Sequence, residues 1–268
     1  MDLSPVSRTA ILLLICHAVE AGRDKAAFND PTAVLCLERL IAMAPEEDRR
    51  WIIRHKRLYQ GIQWRDATAG AGRARAFDTI ANRFIADHPN CTVINLACGL
   101  DTRFWRIENK KCRYIELDLP GVINLKKELL GDHLEYEMIS ASALDTAWID
   151  QVTASGNSDF LLLAEGLFMW IPQPQAARLF KEISARFVRS QLVLDMVPDK
   201  YTHGVWKELI RLHSKMDWGL DVAWVFGLKD PHDIDAYGNG FKVIGEEKGS
   251  AGPIITVSIQ AAVSPATL

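Results

Sequence analysis

The chain has 268 residues, of which 49% are hydrophobic and 24% charged, and this balance is that of a globular protein. Its formal net charge is −3, so there is no basic excess to favour nucleic acid, and we expect no such partner. The longest apolar run near the start, Ala10 to Cys16, is far too short to span a bilayer, and only Arg8 gives it a basic flank. We therefore expect a buried helix there, with no signal peptide and no membrane partner.

The cysteines are odd in number, and none lies in a Cys-x-x-Cys pair. This spacing does not suit a disulfide framework or a metal site. We expect reduced thiols, a cytoplasmic location and no bound metal. The cysteines are Cys16, Cys36, Cys91, Cys98 and Cys112.

Residues 1–90 have the patterns of helices. Asp30 before Pro31 matches an N-cap followed by proline at the first helical position, which predicts the start of a helix. The charged and aromatic stretch 46–66 predicts an amphipathic helix. We expect a loop of small residues at Ala67 to Gly72 and a further helix after it. Together these helices are predicted to form a cap and lid over a cofactor site.

Residues 91–268 alternate short apolar or β-branched runs with helical segments, which is typical of a doubly wound parallel sheet. The continuous apolar run from Phe160 to Ala164 predicts a central strand covered on both faces. The runs 241–244 and 254–259 are too close together for a helical crossover, so we expect them to pair antiparallel. The whole chain, 1–268, is predicted to be one α/β domain with a Rossmann-like, mostly parallel sheet and a C-terminal antiparallel hairpin.

A turn of small residues, Ala97 to Gly99, follows the first predicted strand. Such a turn at the carboxyl end of a strand lets a ligand approach the backbone closely. Asp101 is placed to cap a helix after the turn. A ligand site and a plain strand-to-helix turn fit this loop equally well. It is not a phosphate-binding loop, because the GxGxxG pattern is absent.

Carboxylates end two further predicted strands. Asp118 lies about 20 positions after Gly99, where related folds place the acidic residue that binds ribose hydroxyls. Glu116 lies on the same side of the strand, so either carboxylate fits this role, and either could instead cap the helix near Pro120. Glu165 ends the central strand, where a cationic ligand or a nearby arginine would compensate its charge.

Six segments together resemble the leucine carboxyl methyltransferase family. That family includes enzymes that methylate the C-terminal leucine of a protein phosphatase, and polyketide O-methyltransferases such as the tetracenomycin carboxyl-methylating type. The resemblance spans residues 7–196 and implies a class I methyltransferase fold with S-adenosyl-L-methionine as cofactor. The segments are SRTA (Ser7–Ala10), FNDP (Phe28–Pro31), GRARAFD (Gly72–Asp78), VINLACGLDTRFWR (Val93–Arg106), YIELDLPGVINLKKELL (Tyr114–Leu130) and LLAEGLFMWIP (Leu162–Pro172).

By position, the resemblance also implies a set of cofactor contacts. Arg73, assisted by Arg8, would pair with the methionine carboxylate, which a guanidinium can bind through two parallel hydrogen bonds. Asp118 would bind the ribose hydroxyls, and Ser142 and the backbone of Ala143 would face the adenine edge. Glu165 would lie near the methionine amino group of the cofactor. The implied cofactor-binding residues are Arg8, Arg73, Ala97, Cys98, Gly99, Asp118, Leu119, Ser142, Ala143 and Glu165.

Two positions depart from the family pattern. The family usually has glycine where Ala97 stands, and it often has aspartate where Ser142 stands. The alanine is expected to crowd the cofactor slightly, and the serine offers an uncharged acceptor to the adenine amino group. Neither change removes the implied chemistry, which is direct methyl transfer to an oxygen. A carboxylate acceptor is already ionised at neutral pH, so we predict no catalytic base.

The stretch after the last parallel strand is rich in aromatic and basic residues. An aromatic wall with an occasional cation suits a flat acid such as a polyketide, although each tryptophan taken singly also fits a role in packing the cap. The predicted acceptor-binding residues are Tyr201, His203, Trp206 and Arg211, and His213, Trp218 and Trp224 lie in the same stretch.

Two other functions stay open. A NAD(P)-dependent oxidoreductase would share the glycine turn and the acidic residue, but it requires a GxGxxG loop at a helix N-terminus. A non-catalytic module that binds S-adenosylmethionine would keep the fold, and Ala97 and Ser142 are the residues that favour it. For an enzyme, a small-molecule acceptor is favoured over a protein phosphatase, because the sequence identifies no surface for a protein partner.

Overall fold

The computed structural model describes residues 3–23, 26, 28–154, 156 and 159–260, and in this part seven strands form one sheet. The strands are β1 (Thr92–Leu96), β2 (Arg113–Asp118), β3 (Glu137–Ser140), β4 (Phe160–Ala164), β5 (Ser190–Asp195), β6 (Phe241–Lys248) and β7 (Pro253–Ile259). The α-helices are α1 (Pro5–Ala21), α2 (Pro31–Met43), α3 (Glu46–Gln60), α4 (Trp64–Asp87), α5 (Pro120–Leu130), α6 (Ala147–Thr153), α7 (Gln173–Arg186) and α8 (Gly204–His213).

The strands lie in the order β3-β2-β1-β4-β5-β7-β6. The first five are parallel, and β7 runs antiparallel to both β5 and β6. This is the predicted sheet, with its C-terminal antiparallel hairpin, and it has the topology of class I methyltransferases. The strand order reverses between β1 and β4, so the carboxyl ends of these strands flank the crevice where open α/β sheets bind ligands.

Alternate residues of the central strands enter two separate cores. Leu162 of β4 packs with α6 and α7 on one face of the sheet, together with Ile94 of β1. Leu161 and Leu163 point to the other face and pack against α4. Both faces are fully covered, which explains why the run from Phe160 to Ala164 contains no polar residue.

Helices α1, α2 and α3 form a third core with residues of α5. Asp30 caps α2 as predicted, because its Oδ1 accepts the backbone N–H of Ala33 at 2.9 Å. No described helix has both the length and the apolarity needed to cross a membrane. The division of the chain into a cap at residues 1–90 and a core at residues 91–268 stays a prediction.

The predicted loop at Ala67 to Gly72 is wrong, because these residues are the second and third turns of α4. Their small side chains allow close packing rather than flexibility. A Cβ on Gly70 would lie only 3.3 Å from the Cβ of Cys16 in α1, so the two helices are almost in backbone contact. The packing of α1 against α4 outweighs the weak helix propensity of glycine.

Gly99 fixes the position of α1 over the β1 turn. Its φ is +55°, and a Cβ at this position would lie 2.8 Å from the Cβ of Ala10. Both the backbone conformation and the close approach therefore require glycine.

We predict that Gly99→Ala lowers the free energy of unfolding by about 2–4 kcal/mol, because it combines left-handed strain with overpacking. Gly72→Ala is the matched control, since Gly72 is exposed in α4 and a Cβ there meets nothing within 4 Å. That variant is expected to gain roughly 0.5–1 kcal/mol. Urea unfolding of both variants measures the difference, and equal stabilities would contradict the assigned role of Gly99.

Candidate active site

Two cavities meet at the carboxyl end of the sheet. The smaller has a volume of about 230 Å³ and the larger about 380 Å³. Thr9 of α1, and Gly166 and Trp170 after β4, line both of them. The junction therefore lies beside the end of the central strand, between α1 and the loop that follows β4.

The smaller cavity contains six of the ten predicted cofactor-binding residues. It lies over the ends of β1, β2 and β3, and several apolar side chains complete its wall, among them Val6, Val122 and Ile171. The predicted residues that line it are Ala97, Gly99, Asp118, Leu119, Ser142 and Ala143.

Asp118 is held in place by two backbone amides. Its Oδ2 accepts the N–H of Gly99 at 2.7 Å, and its Oδ1 accepts the N–H of Leu119 at 2.7 Å. Burial raises the pKa of Asp118 above its ordinary value, although the two amides oppose this shift. The carboxylate is thus fixed at the edge of the cavity and keeps lone pairs that can accept hydroxyl groups.

Glu116, the alternative ribose ligand, lies two residues before Asp118 in β2, farther from the end of the strand. It does not line the cavity. It is fully buried, and its Oε2 lies 2.6 Å from Nζ of Lys126 and accepts the hydroxyl of Tyr136 at 3.0 Å. Its charge is therefore compensated within the protein. Strand alternation alone left Asp118 and Glu116 as equal candidates for binding ribose. In the structure only Asp118 lines the cavity.

The two residues that depart from the family pattern both face the smaller cavity. Ala97 has a φ of +51°, a left-handed conformation that costs an alanine on the order of 1 kcal/mol and explains why glycine is usual there. The hydroxyl oxygen of Ser142 accepts the N–H of Leu144 at 3.2 Å, so the side chain stabilises its own turn. Its hydroxyl proton remains available to a ligand.

Arg73 is a buried residue of α4 that borders the larger cavity. Its Nε donates to Glu165 at 2.8 Å, and its Nη1 donates to Asp195 at 3.0 Å. Within the described part of the chain its Nη2 makes no hydrogen bond, and a Cβ on Gly166 would lie 3.5 Å from that atom. Arg73 therefore presents one nitrogen to the junction rather than the two that a forked carboxylate contact requires.

Glu165 does not lie alone at the end of β4. Its second oxygen accepts Nη2 of Arg103 at 2.5 Å. Burial opposes ionisation of Glu165, but Arg73 and Arg103 outweigh it and hold its pKa below the ordinary value. Burial raises the pKa of Asp195, although Arg73 opposes that shift.

The same ion-pair network continues under α1. Arg103 also contacts Asp78 at 2.7 Å and Asp101 at 2.6 Å, and Arg106 contacts Asp30 at 2.6 Å. Asp101 therefore pairs with arginines and caps no helix, and only a short 3-10 helix (Arg103–Trp105) follows it. Among the described residues, the network joins three guanidinium groups to five carboxylates, so its formal charge is negative.

A third cavity of about 30 Å³ lies against this network. It is lined by Glu165, Asp101 and Cys98, and by His17 of α1. His17 is almost fully buried, and neither ring nitrogen has a hydrogen-bond partner among the described residues. Burial and Arg106 lower the pKa of His17, so its imidazole is neutral. Polar groups without partners beside a cavity suit a ligand with hydrogen-bonding groups.

Arg8 does not line any of these three cavities. Its Nη2 lies 2.9 Å from Oδ1 of Asp48 in α3, which draws the side chain away from the sheet. The structure thus does not bring Arg8 to the predicted carboxylate site. Sequence position placed Arg8 near Thr9, but the turn of α1 directs the two side chains to different sides.

The larger cavity has a predominantly apolar wall with an aromatic end. Arg73, Asp66, Tyr59 and His213 are the lining residues with ionisable groups other than thiols. The apolar and aromatic lining residues are Leu12, Leu13, Met169, Trp170, Ile210, Trp218 and Trp224.

None of the four predicted acceptor-binding residues is part of this lining. Tyr201 and Trp206 pack edge to face at 5.9 Å, outside the cavity. His203 is 64% exposed at its side chain, and Arg211 pairs with Asp221 on the surface. Ile210, His213 and Ser214 line the cavity instead, together with Trp218 at the end of the π-helical turn (Ser214–Trp218) and the loop residue Trp224.

Sequence reasoning missed the residues at the junction. Trp170 lies five positions after Glu165 within the LLAEGLFMWIP segment, so its place directly after β4 was the available signal. Thr9 carries no such signal, since its role depends on how α1 crosses the sheet. Tyr59 comes from α3, which reaches the cavity only through the packing of the cap.

We predict that Arg103→Met destabilises the protein by about 3–5 kcal/mol, because it removes one of the two arginine partners from each of three buried carboxylates, Asp78, Asp101 and Glu165. The pH dependence of stability changes as well. In the wild type Arg103 and Arg106 outweigh the burial of Asp101 and hold its pKa low, so stability falls as pH drops through that pKa. In the variant Asp101 keeps only Arg106 and Glu165 keeps only Arg73, so both pKa values move upward and the loss of stability as pH falls becomes smaller.

Thermal unfolding at several pH values measures this effect. Arg186→Met is the control, because Arg186 pairs with Asp150 on the surface and its loss is expected to cost less than about 1 kcal/mol. Similar losses in both variants, with parallel pH profiles, would show that the network is not a principal source of stability.

Comparison with known proteins is consistent with this geometry. The model of the leucine carboxyl methyltransferase family matches residues 10–184. The tetracenomycin polyketide synthesis O-methyltransferase TcmP of Streptomyces glaucescens is 31% identical over 151 residues, which are 55% of this chain and 55% of that protein. The chain therefore aligns with about half the length of that relative.

Two further proteins are similar over more of the chain. The S-adenosyl-L-methionine-dependent methyltransferase dpfgK of Gibberella zeae is 23% identical over 258 residues, covering 90% of this chain and 82% of that one. The solved structure of the pyocyanin biosynthetic protein PhzM superposes with a TM-score of 0.51 at 12% identity, covering 83% of this chain and 61% of that one, and it supports the fold alone. Because the family model covers most of its length, the chain belongs to the leucine carboxyl methyltransferase family.

Proposed function

We propose that this chain is an O-methyltransferase that uses S-adenosyl-L-methionine and methylates a carboxylate of a small aromatic molecule such as a polyketide. The observation that carries the proposal is the junction of two cavities at Thr9, Gly166 and Trp170. Transfer of a methyl group requires that donor and acceptor be held in contact and in line, and two sites that share a wall achieve this.

The smaller cavity fits an adenosine group. The fixed carboxylate of Asp118 can accept both ribose hydroxyls, and the hydroxyl of Ser142 and the backbone at Ala143 lie on the far side, where a purine edge would reach them. Apolar side chains from Leu117, Leu119 and other residues form the walls between these polar groups. This pattern of a few polar groups in an apolar cleft is typical of cofactor sites.

The charge of the neighbouring network favours a cationic cofactor. When bound, S-adenosylmethionine supplies an electrophilic methyl group on a sulfonium, and its net charge is positive. The excess of buried carboxylates around Glu165 and Asp101 is suited to such a ligand and repels the pyrophosphate of a dinucleotide. The β1 turn also leads into a 3-10 helix of three residues, which offers no helix dipole for a pyrophosphate.

The methionine group is assigned to the space between the smaller cavity and Arg73. Glu165 and the neutral ring of His17 are suited to the amino group, and Nη2 of Arg73 is suited to the carboxylate. Because Glu165 and Asp195 hold Arg73 rigidly, its free nitrogen is already in position before a ligand arrives. Arg8 is left out of this assignment because it pairs with Asp48.

The larger cavity fits an aromatic acid. Trp170, Trp218 and Trp224 supply flat apolar surface, and Arg73 lies beside the junction where an anionic acceptor group would have to reach. A carboxylate is ionised at neutral pH, so its oxygen can attack a methyl group without a general base.

We predict that Asp118→Asn weakens binding of S-adenosylmethionine by tenfold or more, since it removes the charge that ribose hydroxyls favour. Wild-type affinity is expected to fall in mildly acidic solution, because the raised pKa of Asp118 brings its protonation nearer neutrality. The variant is expected to lack this pH dependence. Calorimetric titration at several pH values measures both effects.

Asp132→Asn is the control, because Asp132 is exposed after α5 and does not line the cavity. Asp118→Asn is a cleaner probe than Arg73→Ala, which would also remove the guanidinium partner of Asp195 and one of the two guanidinium partners of Glu165. Binding of NADH in place of S-adenosylmethionine would refute the proposal in favour of an oxidoreductase. Cofactor binding without turnover on any acceptor would favour a non-catalytic module.

We predict that Trp218→Ala raises the KM for an aromatic carboxylic acid about tenfold and leaves cofactor affinity unchanged, because Trp218 lines only the larger cavity. His203→Ala, outside the lining, is expected to have no effect on either quantity. Steady-state kinetics with labelled cofactor and a panel of aromatic acids, matched amides and phenols provides the measurement.

The product distinguishes the acceptor class. A methyl ester releases methanol on mild alkaline treatment, whereas a methyl ether does not. Alkali-stable label from the phenols, with none from the acids, would replace the carboxylate acceptor by a hydroxyl. A larger effect of His203→Ala than of Trp218→Ala would instead move the acceptor site to the outer aromatic cluster.

A further inference from the structure

Helix α8 exposes an apolar stripe to solvent. Val205, Leu209, Leu212 and Met216 follow one another at spacings of four, three and four residues, with Met216 in the π-helical turn that continues the helix. Their exposed fractions are 69%, 49%, 52% and 68%, and no residue of α8 is buried. Four large apolar side chains aligned on one face of a helix are rare on the surface of a monomer and mark an interface.

Another side of α8 borders the larger cavity, although no residue of the helix is buried. Ile210 and His213 of the helix, and Ser214 directly after it, line the larger cavity. The helix is therefore a thin wall between that cavity and solvent, and its outer surface is the apolar stripe. Whatever covers the stripe also braces one side of the cavity.

We propose that the stripe is covered by α8 of a second copy of this chain, packed antiparallel about a twofold axis. A spacing of four, three and four is that of a coiled-coil seam, in which each apolar residue inserts between residues of the facing helix. A twofold axis between Leu209 and Leu212 brings Leu209 of each copy against Leu212 of the other. The two ends, Val205 and Met216, then also face each other.

In this arrangement, opposite charges beside the stripe of the two copies lie next to each other. Glu208 and Lys215 lie on the same flank, one near each end of the seam. In an antiparallel pair, Glu208 lies beside Lys215 of the partner subunit, and the twofold axis repeats the contact. In a parallel twofold pair, the flank of Glu208 would instead face the opposite flank of the second copy, so Glu208 would not meet Lys215 of the partner subunit.

The size of the stripe suits a modest dimer. Trp206, 51% exposed on the other flank, adds its ring to the apolar surface. Burying the stripe and this ring on both copies would remove on the order of 1,000 Å² from water, which is the lower end for specific interfaces. We therefore expect reversible association in the micromolar range.

An anionic bilayer is a less suitable occupant. The basic side chains beside the stripe are balanced, because Arg211 pairs with Asp221 and lies near Glu208. Membrane-surface helices instead have a clear excess of lysine and arginine on their polar face. The flank therefore favours a partner with its own mixture of charges, which a second copy provides.

Sedimentation equilibrium of the full chain tests the proposal by charge reversal. The wild type is expected to dimerise, and Glu208→Lys and Lys215→Glu are each expected to weaken the dimer at least tenfold through like-charge contact. The double variant Glu208→Lys/Lys215→Glu restores both opposite-charge contacts and is expected to return to within about threefold of the wild type. Leu209→Lys is expected to abolish association. Ile62→Lys is the control, because Ile62 is 86% exposed but lies outside α8.

A wild type that stays monomeric at about 100 μM overturns the proposal, as does a dimer that Leu209→Lys leaves intact. Failure of the double variant to recover, with circular dichroism showing that it is folded, overturns the antiparallel arrangement. Binding of the wild-type stripe to anionic vesicles without self-association would assign it to a lipid surface instead. The test needs neither cofactor nor acceptor, so its outcome is independent of the proposed methyl transfer.

Discussion

The buried ion pairs of Arg103 hold the functional end of the molecule together. This fully buried guanidinium contacts Asp78 on α4, Asp101 in the β1 turn and Glu165 at the end of β4. It thereby ties a cap helix to both strands that flank the ligand crevice. Through Glu165 it also fixes Arg73, the residue that reaches the junction of the two cavities. Ion pairs thus fix the relative positions of α4, the β1 turn and the end of β4. The apolar cores on either face of the sheet supply most of the stability of the fold.

The same arrangement underlies the selectivity proposed for the site. Carboxylates outnumber guanidinium groups in the network, so the protein carries uncompensated negative charge where a positively charged cofactor would be bound. The aromatic cavity on the other side of Gly166 contains few polar groups, which suits a flat organic molecule with one anionic end. In the proposed function, the cationic cofactor therefore lies on one side of the junction and the acid on the other.

The sequence predicts the site residues that lie at strand ends. It does not predict those whose position depends on how the helices pack. Gly99, Asp118 and Ser142 each follow a strand, and the parallel sheet brings all three to one edge, so their meeting in one cavity could be anticipated. Arg8 could not be placed, because Asp48 on another helix decides where its side chain goes. The segment from Ala67 to Gly72 has a loop-like composition, but it is helical and packs closely against α1, with Gly70 beside Cys16. The aromatic stretch around α8 could be recognised in the sequence. Which of its residues line the larger cavity depends on how α8 is rotated about its axis, and composition does not reveal this.

The contact between Gly99 and Ala10 has a consequence for how related sequences diverge. There is no space for another methyl group between α1 and the β1 turn. A larger side chain at either position must push α1 outward or project into the smaller cavity, which Ala10 also lines. The positions of Gly99 and Ala10 are therefore coupled in evolution. Relatives that retain this cavity should keep small residues at both positions. A change at one position should be accompanied by a compensating change at the other, or in the angle at which the first helix crosses the sheet.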